Sequence, residues 1–302
     1  MVRHIRMLGH PFIFHYIVAG KMKSQTLYKE CAIQENSVEV VNRTPPDQFY
    51  HIYLFKGSGS VNVDLVDYDF SGNIVLFTTP YQSIRFEMSE QIGMRTLLFH
   101  GDFYCIEYHK KEVACNGLLF NNIYAQPFIQ LNDEEYHEMH VLFDKLAAEL
   151  SFEDTYSQAV VRAYLQLMLA LSSKVKIGSV TSYEDEFSNH PISQFKLLLE
   201  QHFKRERAPA FYADQLGIAP NTFSKKCKEH YLRSPSQLIQ DRVILEAKKL
   251  IHLTYKSMKV IAAELNFDDE NYFSRYFKKH TGVTPTTFRE RVGISIVADL
   301  SR

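Results

Sequence analysis

The stretch that decides the fold is Leu265–Arg289, LNFDDENYFSRYFKKHTGVTPTTFR. Phe273 and Phe277 are four residues apart and share one helix face, which leaves Asn271, Ser274, Arg275 and Lys278 toward solvent. Upstream, Ser257 is placed to cap a short helix over Lys259–Leu265. Asn266 follows at the turn, and asparagine tolerates left-handed backbone better than most residues. Asp268 is expected to cap the next helix, Gly282 to end it, and Thr284-Pro285 to open a short last one. A short helix, a tight turn and a second helix with a polar outer face make a helix-turn-helix.

The same parts occur about fifty residues earlier. Ala213, Leu216 and Gly217 answer Ala262, Leu265 and Asn266, and Phe223-Ser224-Lys225 answers Phe273-Ser274-Arg275. Lys228, His230 and Pro235 likewise answer Lys278, His280 and Pro285. In this copy a helix from Pro209 ends near Leu216, and Pro220 starts the next, on which Phe223 and Cys227 face inward. Ser234-Pro235 opens a long helix to about Leu253, a rigid bridge between the motifs. A solenoid needs about three or more stacked units, so two copies point to a paired motif instead.

This pattern resembles the signature of AraC-type transcription regulators. The residues that carry it are Leu265-Asn266-Phe267, Tyr272 through Lys279, Gly282, Thr284-Pro285 and Phe288-Arg289. Leu216-Gly217-Ile218, Thr222 through Lys228 and Ser234-Pro235 match the first half of the signature. Asn266 stands where the family has glycine, Cys227 where it has an aromatic residue, and Tyr231-Leu232-Arg233 where it has a glycine-containing stop. The resemblance implies one recognition helix per motif, entering successive major grooves of double-stranded DNA about one turn (~34 Å) apart. Carried over, the base-reading residues are Asn221, Ser224 and Lys225 in the first helix and Asn271, Ser274 and Arg275 in the second. Thr222, Lys226, Lys228, Lys278 and Lys279 are the phosphate contacts.

Charge agrees with that reading. Residues 1–192 hold 15 Lys and Arg against 23 Asp and Glu, a net of −8. Residues 193–292 hold 18 against 11, a net of +7, although the whole chain carries only −1. A basic unit on an acidic body fits a nucleic-acid-binding module attached to a sensor or assembly domain.

Up to about residue 127 the chain reads as short strands, including Phe49–Phe55, Ile74–Thr79 and Thr96–Phe99. Thr44-Pro45-Pro46-Asp47, Gly57-Ser58-Gly59, Ser71-Gly72-Asn73 and Asn116-Gly117 are the expected breaks. An antiparallel sandwich or small barrel follows. Beyond Pro127, Asn132 and Glu135 form a capping box, and Tyr136, Met139, Phe143, Leu146 and Leu150 recur at helical spacing. A second helix over about 155–172 carries Val160, Val161, Tyr164, Leu165, Met168 and Leu171 on a broad apolar face. The pair is expected as an αα-hairpin on the barrel.

The expected fold class is therefore α+β with two domains. By the resemblance, residues 1–175 form a cupin-like antiparallel β-barrel (about 1–127) with helices over about 132–172, a sensor and dimerisation domain. A polar linker covers 176–191, an all-α double helix-turn-helix domain 192–292, and a tail 293–302. The expected function is a ligand-responsive, sequence-specific transcription regulator, with activation and repression both left open, working as a homodimer through the helices at about 132–172. A small-molecule effector and RNA polymerase are the further partners it implies.

Two alternatives stay open: a regulator without a small-molecule ligand, and a metal-dependent cupin enzyme with a DNA-binding tail. The enzyme would need His51, His100 or His109, with Glu107 nearby, as metal ligands, but no His-x-His pair with a following Glu is present. No catalytic residue, metal ligand or cofactor is expected. Cys31, Cys105, Cys115 and Cys227 form no CxxC pair and read as reduced thiols. No apolar run approaches the ~18 residues of a membrane helix. The apolar stretch Pro11–Ala19 follows Arg3 and Arg6, but His10, Pro11 and His15 interrupt it, so a strand is expected there rather than a signal peptide. The expected compartment is the cytoplasm.

Overall fold

The computed structural model describes residues 15–18, 21–24, 30–87, 92–104, 118–120, 122–152, 154–187, 191–295 and 298. Strand β1 (His15–Val18) lies inside the apolar Pro11–Ala19 stretch and pairs with β2 (Lys21–Ser24). The remaining strands are β3 (Cys31–Ser37), β4 (Tyr50–Val63), β5 (Val66–Thr78), β6 (Ile84–Glu87), β7 (Gly93–Phe99) and β8 (Phe128–Leu131). They form one antiparallel sheet in the order β3-β7-β4-β5-β8, with β6 paired to the far end of β4. Among the described residues the end strands β3 and β8 do not pair with each other, so the expected barrel is open rather than closed.

The longest ladder corrects two expected breaks. Gly57-Ser58-Gly59 and Ser71-Gly72-Asn73 lie opposite one another inside the β4–β5 pairing, with Gly57 facing Gly72. The turn is at Asp64-Leu65, where both residues have positive φ (48° and 70°) and Val63 pairs with Val66. That two-residue geometry matches the twist of the flanking strands even without an Asn-Gly pair. Asn116-Gly117 lies outside the described residues.

Alternation along the strands gives two apolar faces. Ile33, Ile52, Leu54, Val75, Phe77, Leu97 and Phe99 face α2 (Asp133–Glu149) and α3 (Thr155–Phe187). The Asn132–Glu135 capping box that opens α2 is present, and Met139, Phe143, Leu146, Val161, Leu165 and Met168 complete that core. Lys176 of α3 is buried and donates to the carbonyls of Gln126 and Phe128 (2.9 Å to the latter), tying the helix to β8. Helix α3 continues to Phe187 instead of ending near 172, so much of the expected linker segment is helical. Polar composition suits a solvated helix as well as a coil, and the first proline after Lys176 is Pro191, the opening residue of the next helix.

The opposite face carries Tyr53, Phe55, Tyr68, Phe70, Ile74 and Leu76 against Phe86 and the short α1 (Val38–Arg43). The sequence reading contains no such helix, because Val38, Val40 and Val41 are β-branched; Ser37 caps it by accepting from Val40 N at 3.4 Å.

From Pro191 the chain is helical: α4 (Pro191–His202), α5 (Pro209–Gln215), α6 (Pro220–Tyr231), α7 (Pro235–Leu253), α8 (Met258–Glu264), α9 (Glu270–Thr281) and α10 (Pro285–Val292). One core built on Phe195, Phe223, Leu238, Val243, Ile261, Phe273, Phe277 and Phe288 holds them together. No helix among the described residues is long and apolar enough to cross a membrane.

Candidate nucleic-acid interface

Helices α5 and α6 form the first motif, α8 and α9 the second. Gly217 (φ 65°) and Asn266 (φ 55°) take the left-handed conformation at the two turns. Phe223, Cys227 and Tyr231 are buried on α6, and Phe273, Phe277 and Thr281 at the equivalent positions of α9. Residue by residue, burial over 221–232 repeats over 271–282. Ser257 accepts from Val260 N at 3.3 Å and so caps α8. The cap of α9 is Asp269, not Asp268: its carboxylate accepts from Tyr272 N at 2.7 Å. The second turn is one residue longer than the first, which leaves Asp268 inside the turn.

Asn221, Thr222, Lys225 and Lys228 of α6 and Asn271, Arg275, Lys278 and Lys279 of α9 are exposed; Ser224 and Ser274 are half-buried. Each helix thus presents its expected readers on one solvent-facing side. Lys226 is half-buried and occupies the position that Tyr276 fills in α9. Lys225 pairs with Glu229 at 3.8 Å, whereas the equivalent pair in α9, Arg275 and Lys279, is doubly positive. Helix α7 holds the motifs at a fixed spacing. Ser234 caps it with Gln237 in a reciprocal box, and Leu238, Ile239, Val243, Ala247 and Ile251 line its buried side.

Several residues that position the motifs carry no sequence signal. Arg207 lies 3.8 Å from the Phe267 ring centre and donates to Leu265 O, bracing the second turn. Burial pulls its pKa down, while Tyr276, Tyr272 and Asp268 pull the other way. Arg242 of α7 lies 3.9 Å over Phe203 and pairs with Glu200 and Glu246.

The sheet docks on this helical unit without covering the exposed readers. Arg233, just past α6, is buried and donates to Tyr68 Oη at 2.6 Å and Asp241 Oδ2 at 2.7 Å. Burial opposes its charge, but Tyr68 and Asp241 outweigh burial and hold it protonated. Lys248 donates to Pro80 O at 2.9 Å, and its burial lowers its pKa. Tyr81 packs on Phe288, ring centres 5.6 Å apart, and His100 Nε2 lies 2.9 Å from Arg291 O. Gly101 lets the two units approach closely here: a Cβ would lie 3.2 Å from the His252 ring, a tight contact that the ring would have to relieve by a few tenths of an ångström.

Next to this joint the sheet lines a cavity of about 680 Å³ that is open to solvent on one side. Gln34, Tyr53, Thr78, Thr96 and Leu98 form its floor, on the strand face opposite α2 and α3; Val41 of α1 and the Thr44–Phe49 loop form its side. Tyr81, His100 and Asp102 line it and also touch the helical unit, Asp102 approaching Gly293. Thr96 Oγ1 and Tyr81 Oη are buried without a hydrogen-bond partner among the described residues. His51 pairs with Asp47 (3.5 Å) and His100 with Asp102 (3.2 Å), and no group of three His, Cys, Asp or Glu side chains is gathered among the described residues. Cys105, Glu107, His109 and Cys115 lie outside them.

The chain matches the helix-turn-helix domain family over residues 212–291. It is 28% identical over 105 residues to the transcriptional regulator ExsA of Pseudomonas aeruginosa, which covers 35% of this chain and 38% of ExsA. To the transcriptional activator RhaS of Escherichia fergusonii it is 20% identical over 270 residues, covering 85% of this chain and 93% of RhaS. Among solved structures it is similar to ToxT of Vibrio cholerae (16% identity, TM-score 0.36), covering 86% of this chain and 97% of ToxT. Two motifs with matching burial on a bridging helix, and the relatives named, lead to one conclusion: residues 212–291 are a helix-turn-helix domain, and the chain is similar to transcription regulators of the AraC type.

Proposed function

We propose that the chain reads a two-part DNA site and that a small molecule held in the sheet domain modulates this. The observation that carries the reading is the equivalence of α6 and α9: matching burial, with polar and basic side chains on the exposed side. Arg275 and Asn271 suit bidentate contact with guanine and adenine, and Asn221, Ser224, Lys225 and Ser274 complete the base readers. Thr222, Lys226, Lys228, Lys278 and Lys279 serve the phosphates.

The cavity supports an effector over a barrel filled by side chains, since about 680 Å³ lies within the usual range of ligand sites. Tyr81, His100 and Asp102 belong to both the cavity and the joint, so an occupant bears directly on how the helical unit is held. The effector domain in this reading is 1–175, with 176–191 joining it to 192–292.

A homodimer is supported by α3. Tyr156, Val160, Ala163, Leu167, Ala170, Lys174 and Ile177 follow one another at alternating steps of four and three, the spacing of a coiled-coil seam. Tyr156 is 86% exposed, and Leu167 and Ile177 are each 44% exposed, while Val161, Leu165 and Met168 fill the core on the other side. The covering partner proposed is a second copy of α3.

Mapping the chain's binding sites on genomic DNA and measuring its affinity for one such site against random duplex at fixed salt tests the reading. A ratio of ~10³ or more is expected. A ratio near one overturns site-specific reading.

A further inference from the structure

A helix that joins two motifs sets the distance between them, and their rotation about its axis is set by contacts made beside it. Helix α7 is the joining helix, and the chain leaves it at Thr254 in extended backbone before α8 begins. Arg207 makes a contact beside it. The residue lies between α4 and α5, on the first-motif side, and its guanidinium donates to Leu265 O and, at 3.4 Å, to Asn266 O at the end of α8. A helix leaves such carbonyls unpaired at its C-terminus, where its dipole also favours a cation. The same guanidinium lies 3.8 Å from the Phe267 ring centre in the turn and 5.9 Å from that of Tyr276 on α9. Those two ring centres are 5.2 Å apart. One side chain thus reaches the first helix, the turn and the recognition helix of the second motif.

The segment that carries Arg207 is itself held. Arg205 N and Glu206 N donate to His202 O at the end of α4, and the buried Tyr212 of α5 donates to Glu206 O at 2.8 Å. Phe203, four residues earlier, lies under the Arg242 guanidinium of α7. The repeat supplies a contrast. By the offset that relates Ala213 to Ala262, Lys256 stands where Arg207 does, and it pairs with Glu264 of its own motif at 2.5 Å. Arg207 crosses between the motifs, whereas that pair lies within one.

We propose that Arg207 is a positioning residue for DNA recognition: it sets the angle between α6 and α9, and with it the spacing of the half-sites the chain reads. This rests on the reading of a two-part DNA site. One base pair inserted between half-sites moves the second by about 3.4 Å and turns it by about 35°, beyond the hydrogen-bond reach of a helix held at a fixed angle. Arginine suits the task, because its planar fork donates in fixed directions while its face stacks on rings; lysine has neither fork nor face.

The test uses the full chain. Duplexes selected by the parent from a random pool are expected to share two half-sites at one spacing, and the half whose preference relaxes in Arg275→Ala is that of α9. Affinity is then measured on three duplexes: the selected one, one with a base pair inserted between the halves, and one keeping only the α9 half. The parent should bind the first at least about tenfold more tightly than the other two. Arg207→Met keeps the apolar stem but loses the fork, so the second helix must be oriented during binding. It should lose about three- to tenfold on the selected duplex and stay within about twofold of the parent on the other two. Arg207→Lys should show a smaller loss confined to the same duplex, and it decides alone if Arg207→Met does not fold. An equal loss on all three duplexes, which a merely less stable chain would give, overturns the proposal. So does a loss on the α9-only duplex as large as that on the selected one, or no loss at all. A parent that selects no two-part site removes the two-part reading, and this proposal with it. A parent that selects one but tolerates the inserted base pair removes only the fixed angle and this role for Arg207.

Discussion

Helices α6 and α9 are each twelve residues long and bury the same three positions, yet their ends and inner side chains differ. Helix α6 starts at Ala219-Pro220 with no side-chain cap and stops at Leu232, a leucine held at φ 58°. Helix α9 starts under the Asp269 carboxylate and stops at Gly282, φ 79°. Cys227 sits where α9 has Phe277, and Glu229 where α9 has Lys279. Beyond the stop, Arg233 of the first motif is held by Tyr68 of the sheet. The second motif is therefore the more regularly built of the two; the first meets the sheet through the Arg233–Tyr68 hydrogen bond just past α6, the second through Tyr81 packed on Phe288 of α10.

The largest expected contrast lies in the cores. Phe277 and Cys227 are both fully buried, but Phe277→Ala removes a ring that packs on Phe288, ring centres 5.5 Å apart. It should cost about 3–5 kcal/mol in urea unfolding, whereas Cys227→Ala should cost about 1 kcal/mol, since it removes a single buried sulfur. Burial pushes the Cys227 thiol up to about 12, so little thiolate forms at neutral pH. Its reaction with a thiol reagent should track opening of the first motif; fast labelling of the native chain would show that motif to be open.

How far this was readable from the sequence depends on the range of the interactions. The motifs were legible because Phe223 with Cys227, and Phe273 with Phe277, carry a four-residue period, and because Gly217, Asn266, Pro220 and Pro285 mark the turns locally. Strand boundaries were less so. Gly57 and Gly72 look like breaks, but as a cross-strand pair they sit within a continuous ladder. The joint had no local signature at all: Tyr68 and Arg233 are 165 residues apart, and nothing near either marks it as a partner of the other. The cavity needs side chains from β3, β4, β5 and β7 together, so only the assembled sheet reveals it.

The outer faces give the next contrast. Arg275→Ala should lower discrimination at one base pair by about 1–3 kcal/mol. Lys225→Ala should do less, because Lys225 shares its charge with Glu229 at 3.8 Å. Lys279→Ala should weaken all sequences alike and reduce the salt slope by about one. Competition assays on matched site variants at several salt concentrations separate these effects. Equal losses on specific and random DNA for Arg275→Ala would remove its role as a reader.

The smallest effect concerns the stops, and its sign is informative. A side chain in left-handed backbone costs about 1–2 kcal/mol relative to glycine, because Cβ crowds the following carbonyl. Leu232 bears that cost while its side chain is 59% exposed and so gains little from packing. Leu232→Gly should therefore raise stability by about 1 kcal/mol, less whatever entropy glycine adds to the unfolded chain. At Gly282 an added Cβ meets nothing within 4 Å, so Gly282→Ala measures the same strain with no clash at Cβ to confuse it. The two shifts should be opposite in sign and similar in size. If Leu232→Gly instead destabilises the chain, the leucine is fixing the path into Arg233, and the stop serves the contact with Tyr68 rather than the recognition helix.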